Sequence, residues 1–348
     1  MEKDFSEVIK VLIVDDSPVI CKVLNEMLNS DPRIIVTGIV SNGEDAVKYA
    51  SILKPDIITM DINMPVMDGL QATKQIMAEN PIPIIIVSSA LVKDGVDRTF
   101  EAISYGALDV FDKSKIDIKS GMLLIEKIKQ LKGTHVIRHP RPEFVRRSDD
   151  RIIELTNKIK LHRIIAIASS TGGPQALVQT LKNLPKNLPC SIVIVQHISD
   201  GFEEGLAEWL DNDCNIKVKV AENDEKMLEG TAYIAPCGFQ MEVTKKERIF
   251  LSKRPSHNDF MPSGDILLES VAEIYKDSAI GIILTGMGSD GALGIRAIKK
   301  NNGFTIAQDE KSCVVFGMPK AAIELNVVDL VLPVEIISNN IIKILKRG

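Results

Sequence analysis

The sequence has no apolar run of the roughly 20 residues that a membrane-spanning helix requires, so direct insertion into a bilayer is not expected. Its first residues, MEKDFSEVIK, are charged and lack the apolar segment of a secretory signal, which points to a cytoplasmic protein. Positive charge is not in excess either. Lys and Arg number 42 against 47 Asp and Glu, a formal net charge of −5, and a nucleic-acid partner is therefore not expected. The five cysteines, Cys21, Cys190, Cys214, Cys237 and Cys313, are odd in number and scattered, with no C-x-x-C pair. That argues against a disulfide framework and against a structural zinc site. Coiled-coil heptads and low-complexity tracts are also missing.

What is present is alternation. From Lys10, short β-branched runs such as KVLIVDD, DIITMDI and IPIIIVSS are separated by helical patterns such as VICKVLNEML and LQATKQIM. Strands spaced by amphipathic helices mean βαβ units and a parallel sheet, and five such repeats end near Lys132. The segment GTHVIRHPRPEFVRRSDDR has two prolines, five arginines and no apolar period, and reads as an interdomain linker over 133–160, closed by a helical pattern near 152–159. Alternation resumes at RIIAIASS and runs through SIVIVQHI, a hairpin-like MEVTKKERIFLS and AIGIILTGMG to the C-terminus. The expected fold is thus α/β twice over: a flavodoxin-like (βα)5 domain at 8–132, then a doubly wound, mainly parallel α/β domain at 161–348.

In an open parallel sheet, ligands bind at the carboxyl ends of the strands, near the point where strand order reverses. There the first half offers Asp15, Asp16, Asp61, Ser88 and Lys113. Crowded carboxylates repel unless a cation neutralises them, and an oxygen-rich site with few protein ligands suits Mg²⁺. If one carboxylate accepts a phosphoryl group, Asp61 is that residue, with the metal and Lys113 neutralising charge and Ser88 donating a hydrogen bond. Taken one at a time, each Asp could simply end a strand or open a turn.

The stretches VLIVDDSP, DINMPVMDG, VSSA and GALDVFDK make residues 8–130 resemble a response-regulator receiver domain. The resemblance implies Mg²⁺ held by Asp15, Asp16, Asp61 and a backbone oxygen of Asn63, and a chemotaxis histidine kinase as phosphodonor. Two positions depart from the usual receiver pattern: Ser114 follows the lysine where proline is common, and Val110 stands where many receivers carry an aromatic residue.

In the second half, IASSTGGPQAL halts an apolar run at two serines and restarts it as a helix at Pro174. Such a corner can present backbone N–H groups to a phosphate, or expose a hydroxyl beside N–H groups able to receive an oxyanion. It is neither G-x-G-x-x-G nor a P-loop with its lysine, which weakens the nucleotide reading. A hydroxyl nucleophile needs a base. His135 and His139 fall in the linker, His162 precedes the strand and His257 lies in an apparent loop, whereas His197 closes SIVIVQHI at the same sheet edge if these strands are neighbours. An orienting carboxylate is available in Asp290 of GIILTGMGSDG, though that residue could instead cap the helix ALGIRAIKK.

ASSTGGP, VQHI, AYIAP, LTGMGSDGALG and AQDEKSCVVFGMP, in that order over 161–348, resemble the catalytic domain of the chemotaxis protein-glutamate methylesterase family, the CheB type. The resemblance implies Ser170, and not Ser169, as nucleophile, His197 as base, Asp290 as carboxylate, and the backbone N–H groups of Thr171 and Met287 as oxyanion donors. It implies no cofactor for this domain, methylated chemoreceptors as substrates, and deamidation of receptor glutamines by the same triad. Cys237 stands where glycine is usual, and Met261 where arginine is usual. A binding module without catalysis and a nucleotide-using enzyme are the alternatives.

Overall fold

The computed structural model describes residues 8–89, 93–116, 118–133, 163–256 and 260–345, and the chain divides into two compact units. The expected linker, from residue 134 on, lies outside the described residues with its arginines and helical pattern, as do His135, His139, His162 and His257.

The first unit runs β1 (Ile9–Val14), α1 (Pro18–Leu28), β2 (Ile34–Val40), α2 (Gly43–Leu53), β3 (Ile57–Met60), α3 (Gly69–Glu79), β4 (Ile84–Ser88), α4 (Lys93–Ser104), β5 (Asp109–Asp112) and α5 (Ile118–Leu131). Its strands pair in parallel in the order β2-β1-β3-β4-β5. Strands covered on both faces need unbroken apolar runs, and every residue of β3 and β4 is buried. Helix starts are set by local chemistry: Ser17, Asn42 and Asp68 each accept a hydrogen bond from the backbone three residues on. The chain leaves β1 for β2 on one side and for β3 on the other, so a crevice opens at the ends of β1 and β3. Asp15 and Asp61 stand at those ends.

The second unit runs β6 (Ile164–Ser169), α6 (Gly173–Leu181), β7 (Ser191–Gln196), α7 (Glu203–Asp213), β8 (Lys217–Val220), β9 (Thr231–Ile234), β10 (Gln240–Val243), β11 (Ile249–Ser252), α8 (Gly264–Tyr275), β12 (Ala279–Ile283), α9 (Ala292–Lys300), β13 (Phe304–Gln308), α10 (Met318–Glu324), β14 (Leu330–Leu332) and α11 (Val334–Leu345). Seven strands pair in parallel in the order β14-β13-β12-β6-β7-β9-β8. β10 and β11 form a separate antiparallel hairpin. β6 lies at the switch point, between β7 and β12, and the expectation that the first two strands of this domain are neighbours holds. Helix α8 packs against both β6 and β10, and Leu267, Leu268, Val271 and Ala272 are fully buried in the core. Burial of each Leu or Val contributes about 1.5–3 kcal/mol, so α8 is held firmly with its N-terminus at the sheet edge. Among the described residues no helix is long and apolar enough to cross a membrane.

Candidate functional site

At the end of β6 the chain reverses sharply. Ser170 N donates to Thr285 O at 3.0 Å, Gly173 N donates to Ser170 O at 2.7 Å, and α6 begins at once with Pro174 in its first turn. The turn needs glycine: Gly172 has φ +75°, and a Cβ there would sit 2.5 Å from Val314. Ser170 is thereby held at a strand-to-helix corner, 7% exposed.

His197 stands one strand over, its N–H donating to Ser169 O at 2.9 Å. Its ring lies flat on Phe260, centroids 4.3 Å apart and planes 9° from parallel. Nε2 lies 2.8 Å from Asp290 Oδ2, and Nδ1 is buried with no hydrogen-bond partner. Asp290 follows β12 and is fully buried. Besides His197, its carboxylate accepts from Ser263 Oγ at 2.7 Å, Gly264 N at 2.6 Å and Asp265 N at 3.2 Å. Burial would push this carboxyl up, but the bonds from His197, Ser263 and Gly264 outweigh it and hold Asp290 below the usual carboxylate range. Asp290 does not cap α9 as the sequence allowed: the cap position is Gly291, and no side chain bonds there. The carboxylate is turned instead to the N-terminus of α8, where the helix dipole favours an anion.

Thr285 ties the neighbouring loops together. Its hydroxyl donates to Thr171 O at 3.0 Å and accepts from Val315 N at 2.9 Å, while Gly286 N donates to Val315 O at 3.0 Å. Met287, next in the chain, is half-buried, and its N–H pairs with no group among the described residues. Ser170, His197 and Asp290 therefore stand at the carboxyl ends of three adjacent strands, with the 285–288 loop beside them. The structure joins His197 to Asp290; among the described residues no hydrogen bond joins Ser170 Oγ to His197. Of the departing positions, Cys237 Sγ donates to Ile198 O at 3.6 Å and Met261 O accepts from Gly238 N at 3.2 Å. Sequence reasoning did not single out Gln196, Phe260, Ser263 or Thr285 as parts of this site. Gln196 alone carried a signal, as the polar end of the apolar run SIVIV.

In the first unit, ligand atoms of Asp15, Asp16 and Asp61 lie within 4.8 Å of one another. Asp15 and Asp61 are buried, whereas Asp16 is exposed. Lys113 Nζ reaches both, 2.7 Å from Asp61 Oδ2 and 3.2 Å from Asp15 Oδ2. Burial pushes the Asp15 and Asp61 carboxyls up, and the lysine opposes this only in part. Burial works against the Lys113 ammonium too, yet Asp61 and Asp15 hold it above its ordinary value. Three carboxylates facing one ammonium leave negative charge uncompensated, and a hard divalent cation fits that deficit. Lys113 opens a 3₁₀ turn in which Ser114 donates N–H and hydroxyl to Asp112 at 2.9 and 2.7 Å, so the serine that replaces proline anchors the turn. Ser88 closes β4, buried, and Val110 is buried in β5. Asn63 is exposed, its side-chain oxygen accepting from Arg98 at 2.6 Å.

Residues 165–341 match the CheB methylesterase family and residues 11–126 the response regulator receiver domain. A protein-glutamate methylesterase/protein-glutamine glutaminase of Halalkalibacterium halodurans is 43% identical, over 97% of this chain and 99% of its own length. One of Pyrococcus horikoshii is 41% identical, over 96% of this chain and 93% of its own. The crystal structure of the Thermotoga maritima CheB methylesterase catalytic domain superposes with a TM-score of 0.51 at 43% identity, covering 53% of this chain and 99% of that one. The chain belongs to the CheB methylesterase family, with a response regulator receiver domain preceding the methylesterase domain.

Proposed function

We propose that the protein hydrolyses glutamate methyl esters on chemoreceptors, releasing methanol, and converts receptor glutamines to glutamate, with Ser170, His197 and Asp290 as the catalytic set. The observation that carries this reading is the 2.8 Å contact of His197 Nε2 with the buried, fully bonded Asp290 carboxylate, at the sheet edge that also bears Ser170. With Nε2–H given to Asp290, Nδ1 is the ring nitrogen left to act as base. Ser170 Oγ attacks the ester carbonyl carbon as its proton passes to His197. The carbonyl oxygen becomes an oxyanion, received by the N–H groups of Thr171 and Met287. The carbon–oxygen bond to methanol breaks, His197 returns the proton to the departing methoxide oxygen, and water then hydrolyses the acyl-serine by the same relay. With a glutamine, ammonia leaves in place of methanol. The missing Ser170–His197 bond is one that closes when substrate docks, as catalytic hydrogen bonds commonly do. Asp290 holds the tautomer and stabilises the imidazolium without itself taking the proton.

Asp61 is the phosphoacceptor, supplied by a chemotaxis histidine kinase. Asp15, Asp16, Asp61 and the backbone oxygen of Asn63 would hold Mg²⁺, which supplies charge neutralisation during phosphoryl transfer. Lys113 and Ser88 stand to bind the phosphoryl oxygens, and the added charge of about −1.5 to −2 shifts the receiver from an inhibiting to a permissive state. The test is methanol release from methyl-labelled receptor cytoplasmic fragments, with and without Mg²⁺ and a small phosphodonor. Stimulation lost in Asp61→Asn and all release lost in Ser170→Ala are the expected results. Hydrolysis by Ser170→Ala would overturn the nucleophile, and unchanged basal activity after removal of residues 1–132 would overturn inhibition by the receiver.

A further inference from the structure

Gln196, the last residue of β7, is 2% exposed and spends its whole side-chain amide on the two strand ends of the candidate active site. Its Nε2 donates to Ser170 O and to His197 O, both at 2.8 Å, and its Oε1 accepts from Ser169 Oγ at 2.7 Å. Two donors and one acceptor are thus all engaged, and the two carbonyls, which can only accept, decide which way the amide faces. Room for it exists because residue 173 is glycine: a Cβ there would lie 1.9 Å from Gln196 Oε1.

The consequence lies in the peptide linking Ser170 to Thr171. A trans peptide is planar, with C=O and N–H directed oppositely, so whatever fixes the carbonyl of Ser170 also aims the N–H of Thr171. Ser170 O accepts from Gly173 N within its own turn and from Gln196 Nε2 across the sheet. The same Gln196 nitrogen holds the carbonyl of His197, so one amide sets the nucleophile corner and the base relative to each other.

We propose that Gln196 is a positioning residue that aims the Thr171 N–H at the oxyanion and locks it against His197. This rests on the assignment of Ser170 as nucleophile and of Thr171 N–H as oxyanion donor. Gln196 touches no substrate; it acts through the peptide plane. A misdirected oxyanion donor loses part of the roughly 10²- to 10³-fold that such a donor contributes to kcat.

Gln196→Met keeps the volume and removes both donors. In the full-length protein, the expected result is a fall in kcat for methyl-labelled receptor fragments of about 10- to 100-fold, with KM unchanged. Affinity for a reversible boronic acid, which forms a tetrahedral adduct on serine, falls by the same factor as kcat/KM. A residue that merely stabilised the fold would lower the melting temperature and leave both ratios alone. Where Gln196→Met does not fold, Ser169→Ala removes the bond that holds the amide oxygen while leaving both donors in place, and a few-fold loss in the same two quantities is expected. A folded variant with wild-type kcat and boronate affinity overturns the proposal. Ser170→Ala, assayed alongside, separates the two readings: if it still hydrolyses ester, the nucleophile assignment has failed and the role of Gln196 with it, whereas an inactive Ser170→Ala beside a wild-type Gln196→Met means that the role of Gln196 alone has failed.

Discussion

Asp265 donates its backbone N–H to Asp290 at 3.2 Å while its own carboxylate accepts from Gly294 N at 2.9 Å. Asp290 stands just before α9 and bonds the start of α8; Asp265 stands in the first turn of α8 and bonds α9. Each acid therefore satisfies N–H groups of the other's helix, which locks the two helix starts together beneath His197. Asp265 Oδ2 is buried with no partner, and burial, with Asp290 and Glu269 adding to it, pushes this carboxyl up to about 6.

That shift predicts a pH dependence of stability. An acid whose pKa rises on folding stabilises the native state fully below its unfolded value, and the contribution is lost as pH climbs through about 6. Asp265→Asn, uncharged throughout, is expected to compare worst with wild type near pH 4 and best near pH 8. The swing is on the order of 2–3 kcal/mol. Thermal unfolding of both proteins at the two pH values measures it, and parallel curves would contradict the assignment.

Asp290 has the opposite sign. Its bonds hold its pKa below the ordinary value, so it contributes stability above the unfolded value near 3.8 and loses it as pH falls further. Asp290→Asn preserves the shape but favours the wrong imidazole tautomer. A fall in kcat of about 10³- to 10⁴-fold with a nearly unchanged KM is expected, read by methanol release alongside circular dichroism to confirm folding.

Phe260 keeps the His197 ring in plane by stacking on it at 4.3 Å. An aromatic pair of this kind contributes about 0.5–1.5 kcal/mol beyond its buried area. Phe260→Leu should retain the apolar wall, lose the flat contact and lower kcat by about 3- to 10-fold. Steady-state turnover equal to wild type would show that Asp290 alone orients the ring.

Lys113 is the single cation bridging Asp15 and Asp61 among the described residues. Replacing it with methionine leaves two buried carboxylates without their partner, which costs about 3–5 kcal/mol. Mg²⁺ should recover a larger share of stability in Lys113→Met than in wild type, because it binds the folded pocket and not the unfolded chain. Differential scanning fluorimetry in chelator and across a Mg²⁺ titration checks this; equal metal-induced shifts in the two proteins would argue against an Mg²⁺ site at these aspartates.

Much of the architecture is legible in the chain because parallel strands buried on both faces must be apolar runs, and runs such as IPIIIVSS and SIVIVQHI have no other comfortable reading. The rule that open sheets present their sites at carboxyl strand ends then points to Asp15, Asp61, the Ser169–Ser170 corner and His197 from position alone, and the choice between the two serines came from the family resemblance. Less legible was Asp290. The adjacent helix made capping the natural local reading, since capping signals concern residues three or four apart and carry no information about a second helix.

The sequence by itself determined the two α/β domains, the acidic pocket with its lysine, and the serine corner followed by glycines. These follow from periodicity and from backbone requirements that act over a few residues. Only the tertiary structure decided that Asp290 is answered by the start of α8, that Phe260 lies on His197, and that Gln196 fastens Ser170 to His197. The first two contacts depend on where α8 and its preceding loop cross the sheet edge, a placement set by burial of a whole helix face, and the third on the pairing of β6 with β7. Such packing is non-local, and no short stretch of sequence encodes it.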